Sequence, residues 1–386
     1  MNSNDILIVG VGGAGGRLVE GLSGLVPGAL RTAVIDTDTE ALASSGAVSK
    51  LQIGSHLTHG KGTGGDAGLG RRAATEDAEM IRGLLTDAAM VLVLTGLGGG
   101  TGSAITVDVL KAAGLAGIPT LCFATLPFGF ESKGRAVLAR RAVPEIREAT
   151  DGLILVPNDK LFKSTGKDAV SEAFPKAEAA LGTCVLAIWQ LLTKPGYLNA
   201  SASDLAQVAK PERGIASLAW AEGRGRCRGQ SAAKQLLAHP MIDGGAILAD
   251  CKSVLVSIVA GDDLTLKDLG DIMVPIKAAC GEETDVTIGT SIDPEWKGRL
   301  LLTLIAARPG GWSGAAPART VAAPTETTTD EFPPLVENPN PPSRTGVQTT
   351  LQLEPAGRGQ FEDTDPTLQD GEDLDIPTYQ RRGIKL

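Results

Sequence analysis

The sequence predicts an α/β fold in two ordered parts, followed by a disordered tail. In the first part, short runs of aliphatic residues are separated by stretches of helical character, which indicates a parallel sheet covered by helices on both faces. In the second part, three such runs surround a single helix, which indicates a smaller α+β domain. The composition agrees, because 42% of the 386 residues are hydrophobic and only 3% are aromatic, a balance that favours aliphatic packing.

The aliphatic runs define the predicted elements. In the first part the predicted strands are Ile6–Val9, Ala33–Ile35, Met90–Thr95, Thr120–Thr125 and Leu153–Val156. The predicted helices are Gly16–Leu25, Arg71–Leu85, Ser103–Ala113 and Gly134–Thr150. A long helix over Ser171–Thr193 ends at a Lys-Pro-Gly stop signal and is predicted to join the two parts. The elements predicted for the second part are strands Ser253–Val259, Thr287–Thr290 and Arg299–Ala306 and helix Lys267–Cys280.

The composition changes abruptly after residue 307. Residues 308–373 are rich in proline, threonine and acidic residues and contain few aliphatic runs. Such a segment cannot bury enough apolar surface to offset its ordering entropy, so a disordered linker is predicted. Residues 374–386 regain apolar and basic side chains, among them Ile376, Tyr379 and Arg381. We expect this end to be a docking peptide on a flexible tether.

Charge and cysteine content exclude several classes of protein. A formal net charge of −9 argues against a nucleic-acid partner, since neutralising phosphates requires a concentrated basic surface. The five cysteines are widely spaced and contain no C-x-x-C pair, so neither a disulfide framework nor a zinc site is predicted, and a reducing cytoplasm fits. No run of about twenty apolar residues occurs, so we expect a soluble protein without direct membrane insertion.

A first glycine-rich turn follows the first predicted strand and reads Gly10-Val11-Gly12-Gly13-Ala14-Gly15-Gly16-Arg17. Glycines let backbone N–H groups approach phosphate oxygens, and the N-terminus of the following helix adds partial positive charge. With Asp36 at the end of the next strand, the turn also satisfies the G-x-G-x-x-G fingerprint of dinucleotide-binding proteins. Taken alone, it leaves an NAD-dependent oxidoreductase as an open alternative.

A second glycine-rich turn, Gly96-Leu97-Gly98-Gly99-Gly100-Thr101-Gly102-Ser103, lies between another predicted strand and helix. Two such turns at one edge of a sheet can hold several adjacent phosphates, with the Thr101 and Ser103 hydroxyls as further donors. No lysine follows the glycines as in a Walker A loop, so the backbone and Mg²⁺ are expected to balance the charge. The predicted phosphate-binding residues are Gly12, Gly13, Ala14, Gly15, Gly16, Arg17, Gly99, Gly100, Thr101, Gly102 and Ser103.

The segment Gly98–Ser103 resembles the signature of the tubulin/FtsZ family, and its neighbours extend the resemblance to the FtsZ branch. Pro127–Arg135 and Val156–Leu161 are also similar, and the resemblance runs from about Asp5 to Ala306. In the tail, Asp375-Ile376-Pro377 followed by Arg381-Arg382 is similar as well. The sequence departs from the family pattern at Arg17, usually Asn, and at Ala104, where the signature normally continues with Gly.

The resemblance implies a GTPase in which a parallel, Rossmann-like GTP-binding domain is joined by a long central helix to the smaller α+β domain. The implied boundaries are 1–170 for the GTP-binding domain, 171–195 for the central helix, 196–307 for the C-terminal domain with a catalytic loop, 308–373 for the linker and 374–386 for the docking peptide.

The resemblance also assigns the nucleotide contacts. Glu131 and Arg135 match positions that contact the ribose and the nucleotide, and Phe174 matches an aromatic residue that stacks on the base. Glu178 matches the residue that recognises guanine. A carboxylate there can accept from N1–H and the N2 amino group of guanine, whereas adenine offers neither in that geometry. Without the family resemblance, a solvent-facing Glu178 and a core Phe174 remain the alternative.

Two loops are implied near the terminal phosphate. Ile35–Asp38 resembles a loop near the metal, and Asp38 is the predicted Mg²⁺ ligand, directly or through water. Lys61–Asp66 resembles the γ-phosphate-sensing loop, and its three glycines suit a segment that orders and disorders with hydrolysis. A plain flexible loop is the alternative for Lys61–Asp66.

In this family an Asn-x-Asp-x-x-Asp loop of one subunit completes the active site of the next, and Asn199–Asp204 matches it. Asn199 keeps the amide and Asp204 keeps a carboxylate that can polarise water, but Ser201 replaces the first carboxylate. We therefore expect hydrolysis to be slow. A GTP-binding filament or regulator that has largely lost hydrolysis is the alternative.

The resemblance finally implies ligands, partners and location. GTP, GDP and Mg²⁺ are the expected ligands, and a head-to-tail homopolymer follows from a catalytic loop that serves the next subunit. We expect the protein to form the cytokinetic ring, in the cytoplasm at the mid-cell division site. Asp375–Leu386 is expected to bind membrane-tethering and regulatory division proteins.

Overall fold

The computed structural model describes residues 5–26, 28, 30–164, 169–194, 196–209 and 215–308, and the backbone of residues 368–369 and 372–373. Residues 1–320 and 321–386 are separate compact units. In the second unit, strand β11 (Leu368–Gln369) pairs antiparallel with β12 (Glu372–Asp373). The predicted docking peptide and the rest of the predicted linker after residue 308 lie outside the described residues.

Ten strands of the first unit form one sheet. They are β1 Ile6–Val11, β2 Arg31–Asp36, β3 Ser49–Gln52, β4 Met90–Gly96, β5 Thr120–Leu126, β6 Gly152–Pro157, β7 Ile215–Arg224, β8 Ser253–Ala260, β9 Asp285–Ile292 and β10 Arg299–Arg308. Their order is β3-β2-β1-β4-β5-β6-β7-β10-β8-β9. All neighbours pair in parallel except β10, which is antiparallel to both β7 and β8.

Helices cover this sheet. They are α1 Gly12–Leu25, α2 Thr39–Ser44, α3 Ser55–Thr58, α4 Ala67–Glu76, α5 Ala78–Leu85, α6 Gly100–Leu115, α7 Lys133–Ala149, α8 Asn158–Leu161, α9 Val170–Thr193, α10 Ala202–Ala209, α11 Arg228–Leu237 and α12 Leu266–Ala279. The predicted α/β class is therefore confirmed. Among the residues described, no helix combines the length and apolarity needed to cross a membrane.

Three parts of the fold differ from the sequence prediction. The helix predicted over Arg71–Leu85 is two helices, because the chain leaves helical geometry at Asp77, whose carboxylate accepts a tertiary hydrogen bond from the Gly54 N–H at 2.6 Å. Strand β3 was missed because it is short and half exposed. Strand β7 and helix α11 were missed because small and charged residues interrupt their apolar pattern.

Successive residues of β1 face opposite sides of the sheet and enter two hydrophobic cores. Ile6 and Ile8 pack with α1 and α9, whereas Leu7, Val9 and Val11 pack with α5, α6 and α7. Burial on both faces is the reason for the unbroken aliphatic runs in the sequence.

The central helix α9 belongs to both parts of the unit. Its residues Leu181, Val185 and Ile188 are buried in the same core as β1 and as Val254 of β8. The two parts therefore pack around one shared helix. At the end of this helix, the Asp293 carboxylate accepts from Gln190 Nε2 at 3.0 Å and from Lys194 Nζ at 2.6 Å.

We predict that Asp293→Asn destabilises the protein by about 1–3 kcal/mol at neutral pH, since it removes the charged acceptor of two partly buried donors. Burial opposes ionisation of Asp293, but the Lys194 ammonium and the hydrogen bonds around it outweigh this and lower its pKa. A lowered pKa gives stability that is present above the ordinary aspartate value of about 4 and is lost as the pH falls below it.

Urea unfolding at pH 7 and at pH 3 measures this effect. The difference between wild type and Asp293→Asn should shrink at the lower pH, while Asp262→Asn, a change at an exposed carboxylate, should matter little at either. A difference that is the same at both pH values would show that the Asp293 charge does not stabilise this junction.

Candidate nucleotide site and catalytic loop

A cavity of about 600 Å³ opens at the carboxyl ends of β1, β4 and β5. Twelve of the predicted site residues line it: Gly12, Gly13, Ala14, Arg17, Asp38, Gly99, Gly100, Thr101, Gly102, Glu131, Arg135 and Phe174. Gly15, Gly16 and Ser103 are buried behind this wall. Glycines from both turns, the loop over 61–65 and the proposed ribose contacts thus share one crevice.

The two glycine-rich turns touch each other at the centre of the cavity wall. Gly12 has a φ of 72°, and a Cβ added there would lie 3.1 Å from the Gly102 nitrogen. Helix α1 begins at Gly12 and α6 begins at Gly100, and neither has a side-chain cap or an acidic residue in its first turn. Two helix N-termini with uncapped N–H groups therefore adjoin the cavity, an arrangement suited to a multiply charged anion.

Ser103, a predicted phosphate donor, also supports the second glycine-rich turn. Its hydroxyl oxygen accepts a hydrogen bond from the Gly98 N–H at 2.8 Å, and its side chain is buried. Gly98 has a φ of 100°, a conformation that favours glycine. In this structure, Ser103 holds the turn that presents Gly99 and Gly100.

Two carboxylates at the end of β2 line the cavity. Asp38 caps α2, with Oδ1 accepting from the Glu40 and Ala41 N–H groups at 2.9 and 3.2 Å, and its Oδ2 lies beside Gly62. An oxygen at the cavity wall is the donor that Mg²⁺ prefers, so the residues present fit this ion. Asp36 is buried, which raises its pKa. Its Oδ1 accepts hydrogen bonds from the backbone N–H groups of Thr37 and Asp38.

A narrower pocket adjoins the cavity and is lined by Arg17, Asn158, Phe174 and Glu178. Arg17 Nε donates to Glu178 Oε1 at 2.9 Å. The Arg17 side chain is 57% exposed and that of Glu178 is 21% exposed. The proposed guanine-recognising carboxylate thus lies at the pocket wall with a cation beside it. The sequence assigned both residues to the site but gave no sign of their pairing, because they are 161 positions apart.

Sequence reasoning missed an aromatic cluster next to this pocket. Phe174 lies 4.8 Å from Phe162 and 5.9 Å from Phe128, measured between ring centroids. Phe130 stacks on Phe128 at 4.7 Å and is 82% exposed at the cavity rim. The signal was the Pro-Phe-Gly-Phe segment, in a sequence with few aromatic residues.

The ribose residues predicted from the family pattern also form a pair. Arg135 Nη1 donates to Glu131 Oε2 at 2.9 Å, and Glu131 Oε1 accepts from the Phe128 N–H at 2.9 Å. These bonds fix the Glu131 carboxylate at the cavity rim.

The predicted catalytic residues lie at the other end of α9. Glu178 and Thr193 are separated by about 20 Å along the helix axis, at 1.5 Å per residue. Asn199 and Ser201 line a different cavity, of about 550 Å³, beyond that end. The structure therefore does not bring Asn199, Ser201 and Asp204 into the cavity of their own chain.

Ser201 and Asp204 form a reciprocal cap at the start of α10. The Ser201 N–H and hydroxyl donate to Asp204 Oδ2 at 2.8 and 2.7 Å, and the Asp204 N–H donates to Ser201 Oγ at 3.2 Å. The backbone and side-chain bonds from Ser201 lower the pKa of Asp204. Ser201 therefore holds the remaining carboxylate ionised and in a fixed orientation.

Comparisons with known proteins agree with this geometry. The model of the Tubulin/FtsZ family GTPase domain matches residues 5–166, and that of the FtsZ family C-terminal domain matches residues 214–308. Cell division protein FtsZ of Buchnera aphidicola subsp. Baizongia pistaciae is 34% identical over 308 residues, covering 79% of this chain and 80% of that protein. Cell division protein FtsZ of Coxiella burnetii is 31% identical, and the match covers 98% of this chain and 96% of that protein.

Solved structures give the same result. An empty FtsZ dimer from M. jannaschii has a TM-score of 0.72 and 29% identity, and the match covers 79% of this chain and 88% of that one. The family models, the relatives and the fold thus coincide, and the chain belongs to the FtsZ family of tubulin-like GTPases.

Proposed function

We propose that this GTPase binds GTP in the cavity at the strand ends and hydrolyses it when the Asn199–Asp204 loop of a second copy closes that cavity. The observation that carries the proposal is the placement of the two elements at opposite ends of α9. A chain whose loop cannot reach its own cavity can complete the cavity of a neighbour, and a repeated contact of this kind that does not close produces a filament. The solved relative from M. jannaschii is described as a dimer, which supports self-association.

The nucleotide is assigned to the cavity as follows. The uncapped N-termini of α1 and α6 would hold the phosphates, Asp38 would hold Mg²⁺, and Glu131 with Arg135 would contact the ribose. Phe174 and Glu178 take the base in the adjoining pocket. Bound Mg²⁺ would balance the phosphate charge at the cavity wall.

The domain boundaries and the cellular role remain part of the proposal. Residues 1–170, 171–195 and 196–307 are assigned to the GTP-binding domain, the central helix and the C-terminal domain. Residues 308–373 are assigned to a linker, and Asp375–Leu386 to a peptide that binds membrane-tethering and regulatory division proteins. We infer a cytoplasmic protein of the cytokinetic ring at mid-cell, supported by relatives that carry the name cell division protein.

Phosphate release with GTP and Mg²⁺, measured with light scattering over a series of protein concentrations, tests the shared site. Turnover per subunit should rise above a threshold concentration, and scattering should decay as GTP is consumed. Scattering without turnover would support the alternative of a filament that has lost hydrolysis. Turnover that does not depend on concentration would contradict a site shared between subunits.

We predict that Glu178→Gln weakens GTP binding by about 10- to 100-fold, because an amide cannot accept from both N1–H and N2–H of guanine. Titration calorimetry with GTP and ATP measures the effect, and ATP binding should change little. The matched control is Glu172→Gln, at an exposed carboxylate on the same helix that pairs with Lys176 at 3.3 Å. Equal GTP affinity in the two variants would show that Glu178 does not recognise the base.

A mixture of two inactive variants tests the shared site directly. Asp204→Ala keeps an intact pocket, and Glu178→Gln keeps an intact catalytic loop. The variants are mixed in equal amounts, at a GTP concentration that leaves the Glu178→Gln pocket largely empty. If they assemble at random, about a quarter of the contacts in the mixed filament pair an intact pocket with an intact loop. We expect phosphate release to recover to about that fraction of the wild-type rate. No recovery despite co-assembly would place both functions in one subunit.

We predict that Ser201→Asp accelerates hydrolysis by about tenfold or more, since it restores the second carboxylate while aspartate also caps helices well. Ser201→Ala is the control, because it removes the cap without adding charge and should not exceed the wild-type rate. Turnover per assembled subunit is the measurement. If Ser201→Asp is no faster than wild type, the missing carboxylate does not limit the reaction.

A further inference from the structure

Strand β9 lies at one edge of the ten-stranded sheet and contacts the chain at the entry to the catalytic loop. The Thr290 N–H donates to the Leu198 carbonyl at 2.7 Å, and the Leu198 N–H donates to Thr290 Oγ1 at 2.8 Å. The Thr290 hydroxyl in turn donates to the Leu198 carbonyl at 3.2 Å. The edge of a sheet presents backbone groups that have no strand partner. Here such a group and one side chain hold the residue directly before Asn199.

Two glycines allow this close approach. A Cβ on Gly196 would overlap the Thr290 carbonyl oxygen, so the chain after α9 can pass β9 only without a side chain at this position. A Cβ on Gly289 would lie 2.9 Å from the Cβ of Ala200, which is buried in the core. Leu198 and Ala200 are therefore both fixed by neighbouring residues of β9.

The same contacts leave Asn199 at the surface. It is exposed, whereas Ala200, the next residue, is 6% exposed. Asp204 is fixed separately, by the reciprocal cap with Ser201. The backbone is thus held on both sides of Asn199, and this limits the directions in which its amide can point.

We propose that Thr290 is a positioning residue for GTP hydrolysis, which holds the Leu198 backbone so that the Asn199 amide faces the cavity of the next subunit. The inference rests on the proposed function, in which this loop acts on a neighbouring copy. Catalytic groups must be held within a narrow range of positions, and a displacement of about 1 Å can cost about 100-fold in rate. Thr290 is buried and bonds to the chain beyond the end of α9, so a change there should affect the loop and leave the nucleotide cavity intact.

The test compares Thr290→Val, which keeps the shape of the side chain without its hydroxyl, with Thr290→Ser, which keeps the hydroxyl. Thr287→Val is the matched control, because it makes the same substitution on the same strand but on the opposite face of the sheet. We expect Thr290→Val to lower turnover per assembled subunit by about tenfold, with GTP affinity within about twofold of wild type. Thr290→Ser should restore turnover, and Thr287→Val should behave as wild type.

Mixed filaments test whether Thr290 acts on the loop or on the pocket. Thr290→Val is mixed in equal amounts with Glu178→Gln, whose loop is intact, at a GTP concentration that leaves the Glu178→Gln pocket largely empty. With random assembly, phosphate release should recover to about a quarter of the wild-type rate. In an equal mixture with Asp204→Ala no contact contains an intact loop, so no recovery is expected. A general loss of stability would lower the rate equally in both mixtures.

Hydrogen exchange of the Leu198 amide gives a readout that does not depend on activity. This amide should exchange slowly in wild type and in Thr290→Ser. It should exchange faster in Thr290→Val, because a valine side chain cannot accept its hydrogen bond.

Four results would overturn the proposal: unchanged turnover in Thr290→Val, a loss of GTP affinity equal to the loss of turnover, a Thr290→Ser protein as slow as Thr290→Val, or recovery in the mixture with Asp204→Ala. If Thr290→Val does not fold, Thr290→Ala takes its place in the same comparison. If Asp204→Ala and Glu178→Gln do not restore each other despite co-assembly, the proposed function fails instead, so the two failures are distinguishable.

Discussion

The burial of α9 in a core shared by both parts of the molecule is the constraint on which the active site depends. Leu181 and Val185 pack in one cluster with β1 and with β8, and fully burying each such side chain contributes about 1.5–3 kcal/mol. Because close-packed interiors do not deform continuously, the helix cannot shift at one end without disturbing the other. The base pocket near the start of α9 and the catalytic loop beyond its end are therefore held apart. This separation makes a second copy part of the proposed chemistry.

The cavity is suited to bind a multiply charged anion without the lysine of a Walker A loop. The starts of α1 and α6 leave backbone N–H groups uncapped at the same wall, where a Cβ on Gly12 would lie 3.1 Å from the Gly102 nitrogen. Donors of this kind are fixed before the ligand arrives, so binding does not have to order them. Carboxylates at the same wall, Asp36 and Asp38, would repel a bare triphosphate. The proposed Mg²⁺ would reduce this repulsion together with Arg17, Lys61 and Arg135, which line the same cavity, so the proposed metal and phosphate sites support each other.

The sequence was most informative where the structure is local. A glycine-rich turn between a strand and a helix indicates phosphate binding in more than one fold, and both turns adjoin the cavity. The Arg17–Glu178 pair and the hydroxyl contact between Thr63 and Thr101 escaped prediction, because they join segments that only the tertiary fold brings together. Strand β7 was missed for another reason: small and charged residues interrupt its apolar pattern, although Ala216, Leu218 and Ala219 are buried in the core. The Ser-x-x-Asp capping pattern at 201–204 was readable in advance and was interpreted only as a lost carboxylate.

That capping pattern bears on the slow hydrolysis expected from the sequence. A serine in place of the first acid removes a charge, but it also fastens Asp204 through Oδ2 and lowers its pKa. The remaining acid is therefore held in one orientation, and the cap favours a well-formed α10. On this account the slow hydrolysis we propose follows from the charge that is missing at Ser201, because the geometry of Asp204 is preserved.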